Sequence, residues 1–341
     1  MSHLTAFFES VITWAALTSG ELATTALLVF FIILSTLEAR APKIQNPPSG
    51  KRRSIQANIN LFVFNSAALS LLPISSLLIL AEQYSGKGLL SYIANPVWKI
   101  IVSFLLLDLM FYLWHKASHS FDCLWIFHKV HHSDPHLNVS TAFRVHFAEL
   151  LVITALKAVY IVLLGTDKTI VLINETIMTL FVMFHHANIS FRNEKLLGKI
   201  VIVPYLHRVH HSTERHEHDR NYGLVLSIWD RLFGTCAELE PAEIGIKSSV
   251  PQDLLSLLKL GFTNATAPAA PVLVPEHVKP MIAEAAYFKA KRRGFSPGYE
   301  LGDWLEAERD IVRLVCKDRL QRKPMPKQKL FNPRLIRSRY V

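Results

Sequence analysis

Uncharged apolar runs alternate with charged segments through the first half of the chain. Leu22–Leu37 is the first run, and Ala57–Ala81, 25 residues without a charge, is the second. The second contains Pro73, which a membrane helix tolerates better than a soluble one. Val97–Trp114 is a third run, interrupted by Lys99 and Asp108. Leu150–Leu164 and Thr169–Phe184 are the fourth and fifth, joined by the turn Gly165-Thr166-Asp167, and each carries one charge, Lys157 and Glu175. Runs of this length predict helices able to cross a bilayer. The last two read either as a pair of spans or as a re-entrant hairpin. Beyond Gly234 no apolar run is long enough to cross.

Charge orients these runs. Arg40, Lys43, Lys51, Arg52 and Arg53 lie between the first two, whereas Glu82–Pro96 holds only Lys87. The positive-inside rule places the 39–56 loop in the cytoplasm and the 82–96 loop outside. The third run then returns the chain to the cytoplasm at His115. With a hairpin at runs four and five, residues 186–341 are cytoplasmic too. The residues before Leu22 contain no Lys or Arg, so the basic start of a cleaved signal peptide is missing and the first run reads as a retained anchor.

Composition sharpens this picture. The 341 residues are 50% hydrophobic and only 19% charged, below the roughly 25% of a soluble domain. That balance excludes a disordered or fibrous chain. The net charge is +10, and residues 287–341 hold 15 Lys/Arg against six Asp/Glu. A basic tail suits nucleic acid, an anionic membrane surface, or plain solvation. Membrane runs favour the surface over nucleic acid, and no nucleic-acid partner is expected. Cys123, Cys236 and Cys316 form no C-x-x-C pair, which argues against a disulfide framework or a cysteine zinc site.

The organisation expected is a membrane domain over 1–240, a linker over 241–275 that is rich in Pro and Ala from Ala265 to Pro275, a small helical hairpin over 276–320 and a basic tail over 321–341. The fold class expected is all-α and integral to the membrane. Four to five hydrophobic helices would carry a cytoplasmic, histidine-rich helical cap.

Histidine is the remaining oddity. Fourteen of the 16 histidines fall between His115 and His218. They form an H-x-x-x-H (His115, His119), an H-x-x-H-H (His128, His131, His132), a His185-His186-Ala187-Asn188 and a second H-x-x-H-H (His207, His210, His211). Residues three and four apart share a helix face. Each H-x-x-H-H is therefore expected to present its three imidazoles together. Two such turns and the H-x-x-x-H supply eight nitrogen ligands, enough for two metals, and His186 adds a ninth. Imidazole-rich sites suit iron, zinc or copper, and spacing does not choose among them. H-E-x-x-H is absent, which removes the familiar zinc-protease helix.

This series of boxes resembles the fatty acid hydroxylase/sterol desaturase superfamily of integral-membrane dimetal enzymes. The likeness runs over roughly residues 20–240. Leu107-Asp108 through His119 resembles its D-x-x-x-Y-x-x-H-x-x-x-H segment. HHSDPHLNVSTAFRVHFAE (131–149) resembles the segment after its second box, with Phe147 where proline is common. VPYLHRVHHSTERHEHDRNYGLVLSIWDRLFGT (203–235) resembles its bacterial branch. Near the C-terminus, IAEAAYFKAKRRGFSPGYELGDWLEAERDI resembles a short bacterial module of unknown function.

The resemblance implies a non-haem diiron hydroxylase or desaturase acting on a fatty acyl, sterol-like or other long-chain lipid. It implies two iron ions (zinc on overexpression), O2 as co-substrate, and a bacterial inner membrane. Electrons would come from a separate ferredoxin-, rubredoxin- or cytochrome-like protein, since neither H-P-G-G nor a cysteine cluster is present. The implied ligands are His115, His119, His128, His131, His132, His186, His207, His210 and His211.

Asp108 lies seven residues before His115, on the same helix face. An ionisable group inside a span is a functional candidate. It is expected to accept the N–H of a ligand imidazole, or else to be solvated or paired with Lys99 or Lys116. Asn188 is expected to hold a metal-bound water or to cap a helix. His146 is expected to support the site or to be satisfied by Glu149. The Asp230–Arg231 pair is expected to pin the chain after the last box. Two other readings use the same boxes: a dizinc membrane hydrolase, and a non-enzymatic membrane metal-binding protein.

Overall fold

The computed structural model describes residues 19–71, 77–247, 250–263, 279–295 and, between 300 and 311, all but 301, 305 and 309. Two compact units divide the chain, Met1–Thr266 and Ala267–Val341. Among the described residues there is no β-strand, only the isolated bridges Val201–Leu226 and Ser212–Ile244.

Among the described residues, the first unit opens with α1 (Ser19–Arg40), α2 (Pro48–Ser70) and α3 (Leu77–Tyr84). Next come α4 (Pro96–Ser120) and α5 (Asp122–His132). The hairpin α6 (Phe147–Leu164) and α7 (Lys168–His186) follows. Short helices then carry the chain through the last box: α8 (Glu194–Leu197), α9 (Pro204–His210), α10 (Arg215–His218) and α11 (Ile228–Leu232). The unit's last helix is α12 (Leu254–Leu260).

Among the described residues, four helices, α1, α4, α6 and α7, are long and apolar enough to cross a membrane. The expected second span over Ala57–Ala81 is not one helix. Its residues divide between α2 and α3, and 72–76 lie outside the described residues. The run is uncharged but not apolar throughout. α2 starts at Pro48, so it carries Lys51, Arg52 and Arg53, and it buries Asn58 and Asn65.

Local chemistry sets the helix ends. The Asn95 side chain accepts from Val97 and Trp98 N–H at the start of α4, and Asp167 accepts from Ile170 N–H at the start of α7. Between α6 and α7, Gly165 takes φ 65°, which favours glycine. Gly165 also lies against Gly88, so closely that a Cβ on either would strike the other's backbone. That contact ties the loop after α3 to the α6–α7 turn.

The opposite ends of α4 and α7 carry His115, His119, His185 and His186. α1 packs along α7, and α2 against the turn Val139–Phe143. At this end Lys43 N–H donates to Asn188 O at 3.0 Å, so the basic 40–53 segment lies beside the histidine ends. Leu107, Phe111, Tyr160, Ile161, Val171 and Met178 form the apolar core between the spans.

The second unit contains α13 (Lys279–Arg292), followed by helical residues within 300–311. Ile282 and Ala307 are buried together. Lys289 pairs with Glu306 and Asp310, and Arg293 with Asp303.

Candidate metal centre

Nine buried histidines come together in two groups. His115, His119, His128, His132 and His210 form one, and His131, His186, His207 and His211 form the other. Within each group the nitrogens lie within 4.8 Å of one another. These are the nine positions that the spacing singled out.

Their partition corrects the simple reading of the boxes. No H-x-x-H-H keeps its three imidazoles together. His128 and His132 enter the five-histidine group, while His131 enters the other. In the last box His207 and His211 share the four-histidine group, while His210 crosses over. The reason is helical pitch. Each residue turns the helix by about 100°, so positions i+3 and i+4 flank position i from opposite sides. Pairs at i, i+4 stay together, His115 and His119 included.

The outer nitrogens show which tautomers are present. The Nδ1 atoms of His115, His131, His186 and His210 lie 2.7–3.2 Å from the backbone carbonyls of Tyr222, Arg144, Val182 and Arg220. His119 Nδ1 meets Asp219 at 3.1 Å, and His128 Nδ1 meets Glu149 at 2.7 Å. An oxygen acceptor there requires Nδ1 to carry the proton, which leaves Nε2 with a lone pair.

His131 Nε2 and His186 Nε2 then face each other at 3.0 Å with no hydrogen to share. His186 Nε2 also meets His207 Nε2 at 3.0 Å, and His119 Nε2 meets His132 Nε2 at 3.1 Å. His115 Nε2 and His210 Nε2 are buried without any partner. Converging lone pairs in a dry site repel unless a cation lies between them. The donor set therefore fits metal ions, and neutral imidazole is the form that binds them.

Burial enforces that neutral form. Desolvation first, then neighbouring histidines, pushes the pKa of His128 and His131 down to about 3. The same causes lower His132, His207, His210 and His211 well below the usual value.

A buried polar network supports the boxes. Arg144 is fully buried, and its guanidinium donates to Val130 O, Ser133 Oγ and Asn58 Oδ1, each at 2.9 Å. Asp134 accepts from Ser54, Asn58 and Thr141. Burial opposes the charge on Asp134, yet Arg144 and these donors hold its pKa below the usual value. Arg144 thus grips the end of α5 with its side chain while its carbonyl orients His131. At the last box, Glu194 accepts from Tyr205 N–H at 2.6 Å and pairs with Arg208, which fixes α9.

Both non-histidine candidates sit elsewhere. Asp108 reaches no imidazole. Its carboxylate accepts from Val225 N–H, Leu226 N–H and Trp229 Nε1–H, anchoring the chain beyond the last box to α4. Asn188 has its side chain spent on the backbone of Ile44, so it joins the α1–α2 connection to the end of α7.

His146 is satisfied by Ala148 N–H and Leu258 O, not by Glu149. Asp230 does pin the chain, by accepting from Tyr222 N–H, Gly223 N–H and Thr235, whereas Arg231 turns to Gly198 O and Glu238. His185 donates to Leu224 O and lies against His207, ring centroids 3.9 Å apart and planes tilted by 41°. His136 meets Asn46, and His216 is half-exposed. His218 and Asp219 form a third group with His119. Glu149 and Asp219 were missed as imidazole partners. Neither pairing follows from local spacing: Glu149 meets His128 across 21 residues and Asp219 meets His119 across 100. Cys123 and Cys236 are free thiols.

Comparison with known proteins agrees with this geometry. The fatty acid hydroxylase family matches residues 100–235, a span containing all nine histidines. Residues 279–312 match a family of unknown function, DUF2934. An ornithine lipid hydroxylase of Rhizobium tropici is 31% identical over 170 residues, covering 49% of this chain and 51% of the relative. The alkylglycerol monooxygenase of Homo sapiens is 28% identical over 222 residues, 64% of this chain and 48% of the relative. That of Caenorhabditis elegans is 32% identical over 141 residues, 40% and 27%. The chain thus spans about half, or less, of these relatives' own length. No solved structure matches it.

Proposed function

The chain belongs, through residues 100–235, to the fatty acid hydroxylase superfamily, and on that premise we propose that it is a membrane enzyme hydroxylating a lipid with O2 at a two-iron centre. The observation that carries this reading is the pair of histidine groups whose inward lone pairs converge. The nine histidines named above are the ligands, five for one ion and four for the other. Bound iron would supply the redox chemistry that activates O2.

The protein's own part is holding, orienting and drying the site. Backbone carbonyls and two carboxylates fix the imidazoles in their ligating tautomer. Arg144 and Glu194 hold the two H-x-x-H-H helices in place. Burial keeps bulk water from the reacting carbon. The lipid approaches from the bilayer between the spans, whose outward faces are apolar.

A cytoplasmic orientation of the site is supported by the contact between Lys43 and Asn188, which keeps the basic 40–53 segment at the histidine end. By the positive-inside rule both face the cytoplasm, and in a bacterium the membrane is the inner one. Electrons come from a separate redox protein. Hydroxylation is favoured over desaturation because the relatives are hydroxylases and monooxygenases.

Lipid profiling tests the reaction. Cells expressing the chain are compared with cells expressing a His131→Ala variant. A lipid species heavier by one oxygen, present only with the intact chain, is the expected result. Identical profiles would reject the proposal.

A further inference from the structure

We infer that the two histidine groups hold their ions unequally, the five-histidine group more tightly, because Glu149 and Asp219 bond to its imidazoles and, among the described residues, no carboxylate bonds to the other group's. This deepens the two-ion reading above and rests on it.

The inequality lies in the outer nitrogens. In the five-histidine group, His128 and His119 direct Nδ1 at carboxylates, His115 and His210 direct theirs at carbonyls, and the Nδ1 of His132 has no partner. In the four-histidine group, His131 and His186 use carbonyls, and the Nδ1 atoms of His207 and His211 have no partner. Among the described residues, no carboxylate bonds to an imidazole of that group.

Two effects act in the same direction. A carboxylate accepting the Nδ1 proton makes imidazole a stronger donor and fixes its orientation. Its negative charge also offsets the ion's positive charge where little water screens it. Glu149 is buried and meets His128 at 2.7 Å, so water screens that contact little, whereas Asp219 is about a third exposed and acts more weakly. One more imidazole on the same side adds to both effects. The fold itself therefore assigns the two ions different affinities.

Stepwise metal release tests this. The full chain in detergent is loaded anaerobically with Fe(II) and challenged with increasing chelator, and iron per chain is followed alongside the Mössbauer spectrum. The intact protein is expected to lose one ion well before the other, with two distinct spectral components.

Glu149→Gln and Asp219→Asn keep a hydrogen-bond acceptor but remove the charge. Each is expected to weaken the retained ion, by roughly 10- to 100-fold for Glu149→Gln and toward the low end of that range for Asp219→Asn. The spectral component of that ion alone should shift, and a merely structural role would not produce that change in an isosteric variant. Because Asp219 lies at the surface, its variant tests the idea even if Glu149→Gln does not fold. Release of both ions in one step, or an unchanged profile in the variants, would overturn the inference. An intact protein that never holds two ions would instead reject the metal-centre reading beneath it.

Discussion

The spans and the histidine cap distribute their side chains in opposite ways. On α1, Leu28, Val29, Ile32 and Ile33 are exposed, as are Leu105, Leu106 and Leu113 on α4 and Val159 and Leu163 on α6. In the cap, the buried side chains include the nine histidines and Asn58, Asp134, Asn138 and Arg144. A water-soluble domain rarely buries so many polar groups or exposes such continuous apolar faces. The difference shows two solvents acting on one chain. Lipid accepts apolar surface without cost, so the spans need little burial. The cap must satisfy each buried donor and acceptor from within, or with a cation.

This contrast can be broken at several points. The largest effect is expected from His131→Ala, which removes a ligand and should lower product formation on the order of a hundredfold or more, beyond the loss of an outer hydrogen-bond partner. Metal content and lipid product are the readouts. Arg144→Met should come next. It leaves Asp134 buried without its cation and should cost about 3–5 kcal/mol in thermal unfolding in detergent. Adding Asp134→Asn should recover part of that loss.

Acidification of the metal-free protein comes third. His128 and His131 are held at about 3 when folded, below the ordinary 6.5. Below pH 6.5 the unfolded chain binds protons that the folded one refuses, so stability falls as pH drops from 6.5 toward 3. Each such histidine contributes about 1.4 kcal/mol per pH unit. Melting at pH 7 and pH 5 checks the sign, and a higher melting temperature at pH 5 would contradict it.

The spans should respond differently. Ile32→Arg should reduce membrane insertion by roughly 2.5–3.5 kcal/mol, whereas Ile32→Ala at the same exposed position should change stability by about 0.5 kcal/mol or less. A glycosylation-based insertion assay separates the two.

What sequence revealed follows from how local each signal is. The nine histidines were legible because i, i+3 and i+4 spacing is a property of one turn of helix. Their division into five and four was not, because it depends on which side of each turn the partner helix approaches. Four spans were legible as apolar runs. Ala57–Ala81 misled because counting charges overlooks Asn58, Asn60 and Asn65. Asp108 stood out as a carboxylate in a span, but its partners lie more than 100 residues later, at Val225, Leu226 and Trp229. Glu149 and Asp219 escaped for the same reason: each meets its imidazole only after the chain has turned back on itself.

The proposed activity is the use of O2 on a lipid at two irons held by the cap. Anaerobic purification, metal analysis and turnover under isotopically heavy O2 test it together. The account predicts two irons per chain and heavy oxygen in the new hydroxyl group of the lipid. Zinc alone, with lipid turnover continuing under argon, would contradict it.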